Sequence, residues 1–317
     1  MSPLLAREPI SIVTACDENY ARAAAATLVS AVANTPTQRA LKLYVLDGGV
    51  SPLSKTRLDR TCAALGHRIT WLRPKTEALS DLSISGHVSL ATYLRLFLAE
   101  LMPPSVTQAI YLDADAIVVQ SLENLWSMDL NNSFCGAVQD SLFPVLEPTA
   151  VYGRQLHCQS LAEHDPHPIA NYRELGLPAA APYFNAGVLL VNVDRWRRDR
   201  VASRALTCLR KNANYVRFWD QYALNVLFAE QWCPLDARWN QCADLFRLPS
   251  WQASHYSEAE FRRLRRDPWI IHFNNLPKPW SADCDHPFQS LYWHYAQQTA
   301  WSQARANTPT VSFSRAA

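Results

Sequence analysis

The chain has 317 residues, 49% hydrophobic and 18% charged, which is enough apolar side chain for one large core or two ordinary ones. A formal net charge of +2 gives no global electrostatic argument for a nucleic-acid partner, and eight scattered cysteines without a CxxC pair argue against a zinc finger or a disulfide framework. The eight glycines open neither a GxGxxG nor a GxxxxGK[ST], so any nucleotide bound here must have its phosphates neutralised by a metal or by side chains.

The first residues, MSPLLAREPISIV, lack a basic region followed by an apolar run, and no window reaches 18 uninterrupted apolar residues, so a cytoplasmic location is expected. Pro9 to Cys16 reads as a buried first strand, followed by the polar turn Asp17-Glu18-Asn19-Tyr20 and a helix over roughly Ala21 to Asn34. Lys42 to Asp47 is a second strand, Ser51-Pro52 caps a helix to about Leu65, and Ile69 to Leu72 is a third strand. This alternation points to an α/β fold with a mostly parallel sheet, whose ligands bind at the carboxyl ends of the strands. Asp17, Asn19 and Tyr20 fall on that rim, where they are either ligand contacts or a simple helix N-cap. Ser89 to Leu101 reads as an amphipathic helix with Arg95 beside its stripe, either a solvated flank residue or a cation reaching toward the next strand.

That next strand, Gln108 to Gln120 (QAIYLDADAIVVQ), breaks at Asp113-Ala114-Asp115 and resumes as Ile117-Val118-Val119. If the chain stays extended there, the two aspartates leave the same face and converge, and two anions that close need a cation. The alternative is a strand followed by a turn, where Asp is common. Phe134 to Val138 is another short strand with Asp140 two residues beyond it, and Ser141 to Ala181, rich in proline and carrying His157, His164 and His167, is the longest irregular stretch.

Order returns with PYFNAGVLLVNVDRW, read as a strand over Gly187 to Asn192 with Asn185 in the turn before it, then one long arginine-rich helix over Asp194 to Lys211. A helix over Trp219 to Glu230 opens with Asp220-Gln221-Tyr222, which either complements the helix dipole or does chemistry. FRRLRRDPW at 261 to 269 reads either as a solvated helix face or as a basic and aromatic patch for an anionic inner leaflet. Trp269 to Asn274 is a buried strand whose His272 is, on pattern alone, a core histidine more readily than a ligand. A last helix carries the stripe Phe288, Leu291, Tyr292 and Tyr295, and residues 302 to 317 read as a disordered tail.

Seven fragments in this order, TACDENY, ATYLRL, YLDADAIV, YFNAGVLLVN, WDQYALN, RWNQ and HFNNLPKPW, resemble family 8 glycosyltransferases, most of all the bacterial lipopolysaccharide and lipooligosaccharide galactosyl- and glucosyltransferases. The resemblance covers about residues 9 to 301. It implies a GT-A fold, a single large α/β domain with a nucleotide-sugar half over about 9 to 140 and an acceptor half over 141 to 301. It also implies transfer of galactose or glucose from a UDP-hexose, with retention and assisted by Mn2+ or Mg2+, to a glycan or lipid-linked acceptor.

Under that resemblance Asp113, Asp115 and His272 are the metal ligands, which reverses the core reading of the histidine. Lys278 holds the diphosphate; Ala15, Asp17, Asn19 and Tyr20 form the uridine site; Arg95, Asp140 and Asn185 contact the donor sugar, with Asp220 and Gln221 at the reacting carbon. Two positions depart from the family pattern: Tyr222 stands where a second aspartate is frequent, and Asn275 replaces the glycine of HFxGxxKPW. Two other classes share parts of this pattern, a different metal-dependent nucleotide enzyme and a non-catalytic sugar- or nucleotide-binding protein on the same fold.

Overall fold

The computed structural model describes residues 8–82, 89–148, 151 and 167–302. Among the described residues ten strands form two sheets. The larger contains β3 (Ile69–Leu72), β2 (Leu41–Asp47), β1 (Ile10–Cys16), β4 (Gln108–Asp113), β7 (Phe184–Asn192), β6 (Cys135–Gln139) and β8 (Cys233–Pro234), in that spatial order. Only β7 runs antiparallel to its neighbours. The smaller sheet joins β5 (Ala116–Val118), β10 (Ile270–His272) and β9 (Gln241–Cys242).

All seven residues of β1 are buried, as expected of a strand covered on both faces by helices. From β1 the chain proceeds outward through β2 and β3 and then returns to the other side of β1 as β4. That reversal opens a crevice at the carboxyl ends of β1 and β4, where Ala15 pairs with Asp113. The helix Ala21–Ala33 covers this end, burying ten residues from Ala21 to Ala31, with the closing helix Gln289–Ala296 packed on it.

Four sequence expectations change. The chain does not stay extended through the aspartates: Ala114 and Asp115 form a turn, after which the backbone enters the other sheet as β5. The stretch before β4 is a 3-10 helix over Leu90–Phe97, followed by one α-helical turn over Leu98–Leu101. It is not an exposed amphipathic helix, because Tyr93 to Leu98 are all buried, Arg95 included. Asn185 lies inside β7, since pairing with β6 jumps from Ala137↔Leu189 to Val138↔Asn185 across a bulge.

The arginine-rich stretch is two helices, Val193–Arg198 and Val201–Lys211, separated at Arg200, whose φ of 50° is left-handed. Each piece buries a face of its own, Val193 and Trp196 in the first and Val201, Ala202, Ala205, Leu206 and Leu209 in the second. Their arginines are not all solvated: Arg195 lies over the Phe134 ring, and Arg197 donates to the carbonyls of Ala99, Met102 and Pro103.

In the helix Glu258–Arg266, Phe261 and Leu264 pack inward on Leu245 and Leu248, and Trp269 after it is half-buried between Trp239 and Arg238, so neither apolar residue of the helix is free to anchor beside its arginines. Among the described residues no helix is long and apolar enough to cross a membrane. His157, His164 and residues 303–317 lie outside the described residues.

Candidate active site

The crevice is a cavity of about 440 Å³, within the range of small-molecule sites. Every site residue expected above lines it except Asn19, which is exposed on the turn after β1.

Asp113 ends β4 and Asp115 follows two residues later. Their turn is held from behind by the covering helix, where Thr27 Oγ1 donates to the Ala114 carbonyl at 2.8 Å and Ser30 Oγ accepts from Val118 N–H at 3.0 Å. Asn34 Nδ2 donates to the Val118 carbonyl at 3.0 Å. These positioning residues escaped the sequence reading. The available signal was three polar side chains at i, i+3 and i+7, on one face of an otherwise apolar helix.

β10 pairs antiparallel with β5, setting His272 opposite Ala116. Its Nε2 thereby reaches 3.5 Å from Asp113 Oδ2 and 3.4 Å from Asp115 Oδ1. The ring lies against Gly187, where a Cβ would stand only 2.1 Å from His272 Cε1, so any side chain at 187 would displace the imidazole. Two carboxylates and this imidazole bring one ligand atom each to within 4.8 Å of one another.

Lys278, 4% exposed, places Nζ 2.6 Å from Asp115 Oδ2 and donates to the Phe273 carbonyl at 2.7 Å. Burial alone would push the Asp115 carboxyl up, but Lys278 and His272 outweigh it and hold it well below the usual carboxylate range. Burial likewise opposes charge on His272, and the hydrogen bonds to Asp113 and Asp115 overcome it, raising the imidazole well above its ordinary value.

The opposite wall is built on Arg95. In a 3-10 helix side chains at i and i+3 eclipse, so Thr92 and Arg95 face the same way. Both meet Asp220, Thr92 Oγ1 at 2.8 Å from Oδ1 and Arg95 Nε at 2.7 Å from Oδ2. Arg95 also reaches Asp113 Oδ1 at 3.0 Å and lies 4.7 Å over the Tyr111 ring, so one guanidinium bridges the carboxylates of Asp113 and Asp220. Burial raises the Asp220 carboxyl to about 6 against the pull of Arg95 and Thr92.

Trp219, just before Asp220, has a left-handed φ of 45°, a strained setting for a bulky residue and one that recurs at functional sites. Gln221 Oε1 accepts from Ala186 N–H at 3.0 Å, while its Nε2 lies 3.4 Å from Asp140 Oδ2. Asn185 donates to the same Asp140 oxygen at 3.2 Å.

The cavity also holds Asp244, to which the sequence reading attached no role. It accepts from Asn274 Nδ2 at 2.7 Å and from the Asn275 side chain, and burial raises its carboxyl to about 6. Asn275, which replaces the expected glycine, is thereby tied to the cavity wall. A lone aspartate in ADLF carries no periodic signal, and only the approach of β10 to β9 gives it partners.

Comparisons with known proteins bear on this arrangement. The family model described as glycosyl transferase family 8 matches residues 11–284. General stress protein A of Bacillus subtilis is 27% identical over 93% of this chain and 96% of its own length. Lipopolysaccharide 1,2-glucosyltransferase of Escherichia coli is 22% identical over 93% of this chain and 79% of its own. The solved galactosyltransferase LgtC, in complex with donor and acceptor sugar analogs, superposes with a TM-score of 0.74 at 25% identity, over 95% of this chain and 98% of LgtC.

Proposed function

The chain belongs to glycosyl transferase family 8, with a GT-A fold, and from that premise we propose that it is a retaining hexosyltransferase. It moves galactose or glucose from a UDP-hexose to a glycan or lipid-linked acceptor, with Mn2+ as the assisting ion. The observation that carries this reading is the convergence of Asp113, Asp115 and His272 on one wall of a cavity that also presents Lys278, Arg95 and Asp220. Two carboxylate oxygens and one imidazole nitrogen fit a small divalent ion, and the nitrogen favours Mn2+ over Mg2+. Bound there, the ion would stabilise the charge that grows on the leaving diphosphate.

The chain's own residues account for the other requirements. Lys278 sets a buried ammonium beside the same point and is suited to a diphosphate oxygen. Ala15, Asp17 and Tyr20 form the uridine end, where Tyr20 offers a ring braced edge-on by Trp280 at 5.5 Å. Arg95, Asp140, Asn185, Asp220 and Gln221 surround the donor sugar.

Asp220 is already held by Arg95 and Thr92, and Gln221 by Ala186 and Asp140. An attack by either on the anomeric carbon would break those contacts. This favours front-face retention: the acceptor oxygen bonds to the anomeric carbon as the bond to the phosphate oxygen breaks, and the departing phosphate takes the acceptor's proton.

The reading places the enzyme in the cytoplasm, at the inner leaflet through Arg262, Arg263, Arg265 and Arg266 by charge alone. UDP release measured for each UDP-hexose, with Mn2+ and a mixed set of glycan acceptors, tests the proposal. No acceptor-dependent release from any UDP-hexose would sink it.

A further inference from the structure

The RWNQ stretch contains a residue to which the reading above gives no role. Asn240 is 3% exposed, and its Oδ1 lies 2.9 Å from His272 Nδ1. An asparagine amide can face either way, but here its neighbours choose. The backbone N–H of Gly187 can only donate, and it donates to Asn185 Oδ1 at 3.0 Å. Asn240 Nδ2 donates to that same oxygen at 2.9 Å, while Asn185 Nδ2 is directed at Asp140 Oδ2. With its amide nitrogen committed, Asn240 presents an acceptor to His272, so Nδ1 is the ring nitrogen that keeps a proton. Nε2 is then the nitrogen that would give up its proton, shared with Asp113 and Asp115, when a metal ion binds and offer its lone pair between them. Gly187 enforces the same pose sterically, since the ring occupies the space a Cβ would fill.

We propose that Asn240 is a positioning residue of the metal site: its amide, oriented by Asn185, holds His272 with Nδ1–H turned away and Nε2 aimed between Asp113 and Asp115. The inference rests on the assignment of those three residues as metal ligands. It also makes the sugar-side residues Asn185 and Asp140 part of one hydrogen-bonded chain ending on His272, so the two halves of the site are aligned by the same buried amides. Partners that orient a ligating imidazole in this way typically change metal affinity 10- to 100-fold when removed.

The test uses Mn2+ alone, its binding followed by loss of the free-ion EPR signal and by calorimetry. Asn240→Ala and the similarly sized Asn240→Leu remove the acceptor, and each should weaken Mn2+ binding by about 10- to 100-fold. Asn240→Asp keeps an acceptor for Nδ1 but cannot donate to Asn185, so it should bind Mn2+ at least about as tightly as wild type. Melting of the metal-free proteins separates this from a merely structural role: all three variants lose the link to Asn185 and melt lower, yet only the acceptor-free pair should lose Mn2+. Wild-type affinity in Asn240→Ala and Asn240→Leu, or an equal loss in Asn240→Asp, would overturn the proposal. If wild type binds no Mn2+, or His272→Ala binds as tightly as wild type, the metal assignment itself fails and takes this inference with it, a result visible without any Asn240 variant.

Discussion

Replacing Asp220 by asparagine keeps the shape of a carboxylate that is only 2% exposed, while removing its charge and its titration. Burial lifts this carboxyl from its ordinary 3.8 to about 6, so the folded chain holds the proton more tightly than the unfolded one. The stability this group contributes is therefore fully present below about pH 4 and is lost as pH rises through about 6, because the unfolded chain releases its proton first. A shift of about 2 units corresponds to about 3 kcal/mol at about 1.4 kcal/mol per unit. The stability of wild type relative to Asp220→Asn should accordingly fall by about 3 kcal/mol between about pH 4 and pH 6.5, on the order of 5 °C in Tm for a chain of this size. Thermal denaturation of both proteins at matched pH values reads the difference directly. Parallel curves would mean that Arg95 keeps Asp220 ionised throughout, and the burial argument would be refuted. In the transfer assay the same variant should be slower by about two orders of magnitude or more, with UDP binding nearly unchanged, because the residues proposed for uridine and diphosphate lie on the other wall.

Without a glycine-rich loop, UDP bound at the proposed site would meet Asp113 and Asp115 as like charges, so nucleotide and metal should bind cooperatively. UDP near a hundred times its dissociation constant for the Mn2+-loaded protein should add about 2.7 kcal/mol over Mn2+ alone and raise Tm by on the order of 5 °C. UDP with chelator should do little, and Asp115→Asn or His272→Ala should abolish most of the combined shift; equal shifts with and without metal would remove these residues from the site. Gly187→Ala forces a methyl into the His272 ring, and chemical denaturation should show a loss of about 1–3 kcal/mol together with weaker Mn2+ binding. An unperturbed variant would mean that the ring can move aside freely. Because Phe261 and Leu264 are buried, any sedimentation with anionic vesicles should depend on the four arginines and vanish in about 1 M salt, where the Debye length is about 3 Å. Persistence at that salt would indicate apolar insertion from another surface.

Much of the frame was legible in the chain alone. Continuous apolar runs mark β1, β2, β4 and β10; the strand–helix alternation marks a mostly parallel sheet; and an Asp-x-Asp at a strand end with no phosphate-binding glycine loop points to a cation. These signals are local, because burial on both faces and the polarity of a strand end are written in adjacent residues. What only the tertiary structure decided is which distant group each buried polar side chain meets. Arg95 reads as either a flank residue or a cation reaching toward the next strand until a 3-10 turn eclipses it with Thr92 and carries both to Asp220, with Asp113 also in reach. On pattern alone His272 reads as core more readily than as a ligand, and it is the pairing of β10 with β5 across the aspartate turn that sets it beside the carboxylates. Thr27, Ser30 and Asn34 read as interruptions of an apolar helix until they are found holding that turn and the strand after it. Asn185 takes its place from a bulge in β7, and Asn240 takes its amide orientation from Asn185, which leaves its oxygen facing a histidine in another sheet. The physical reason is the same in each case: a buried donor or acceptor must find a partner, but local periodicity encodes only that it is buried, while long-range strand pairing chooses the partner.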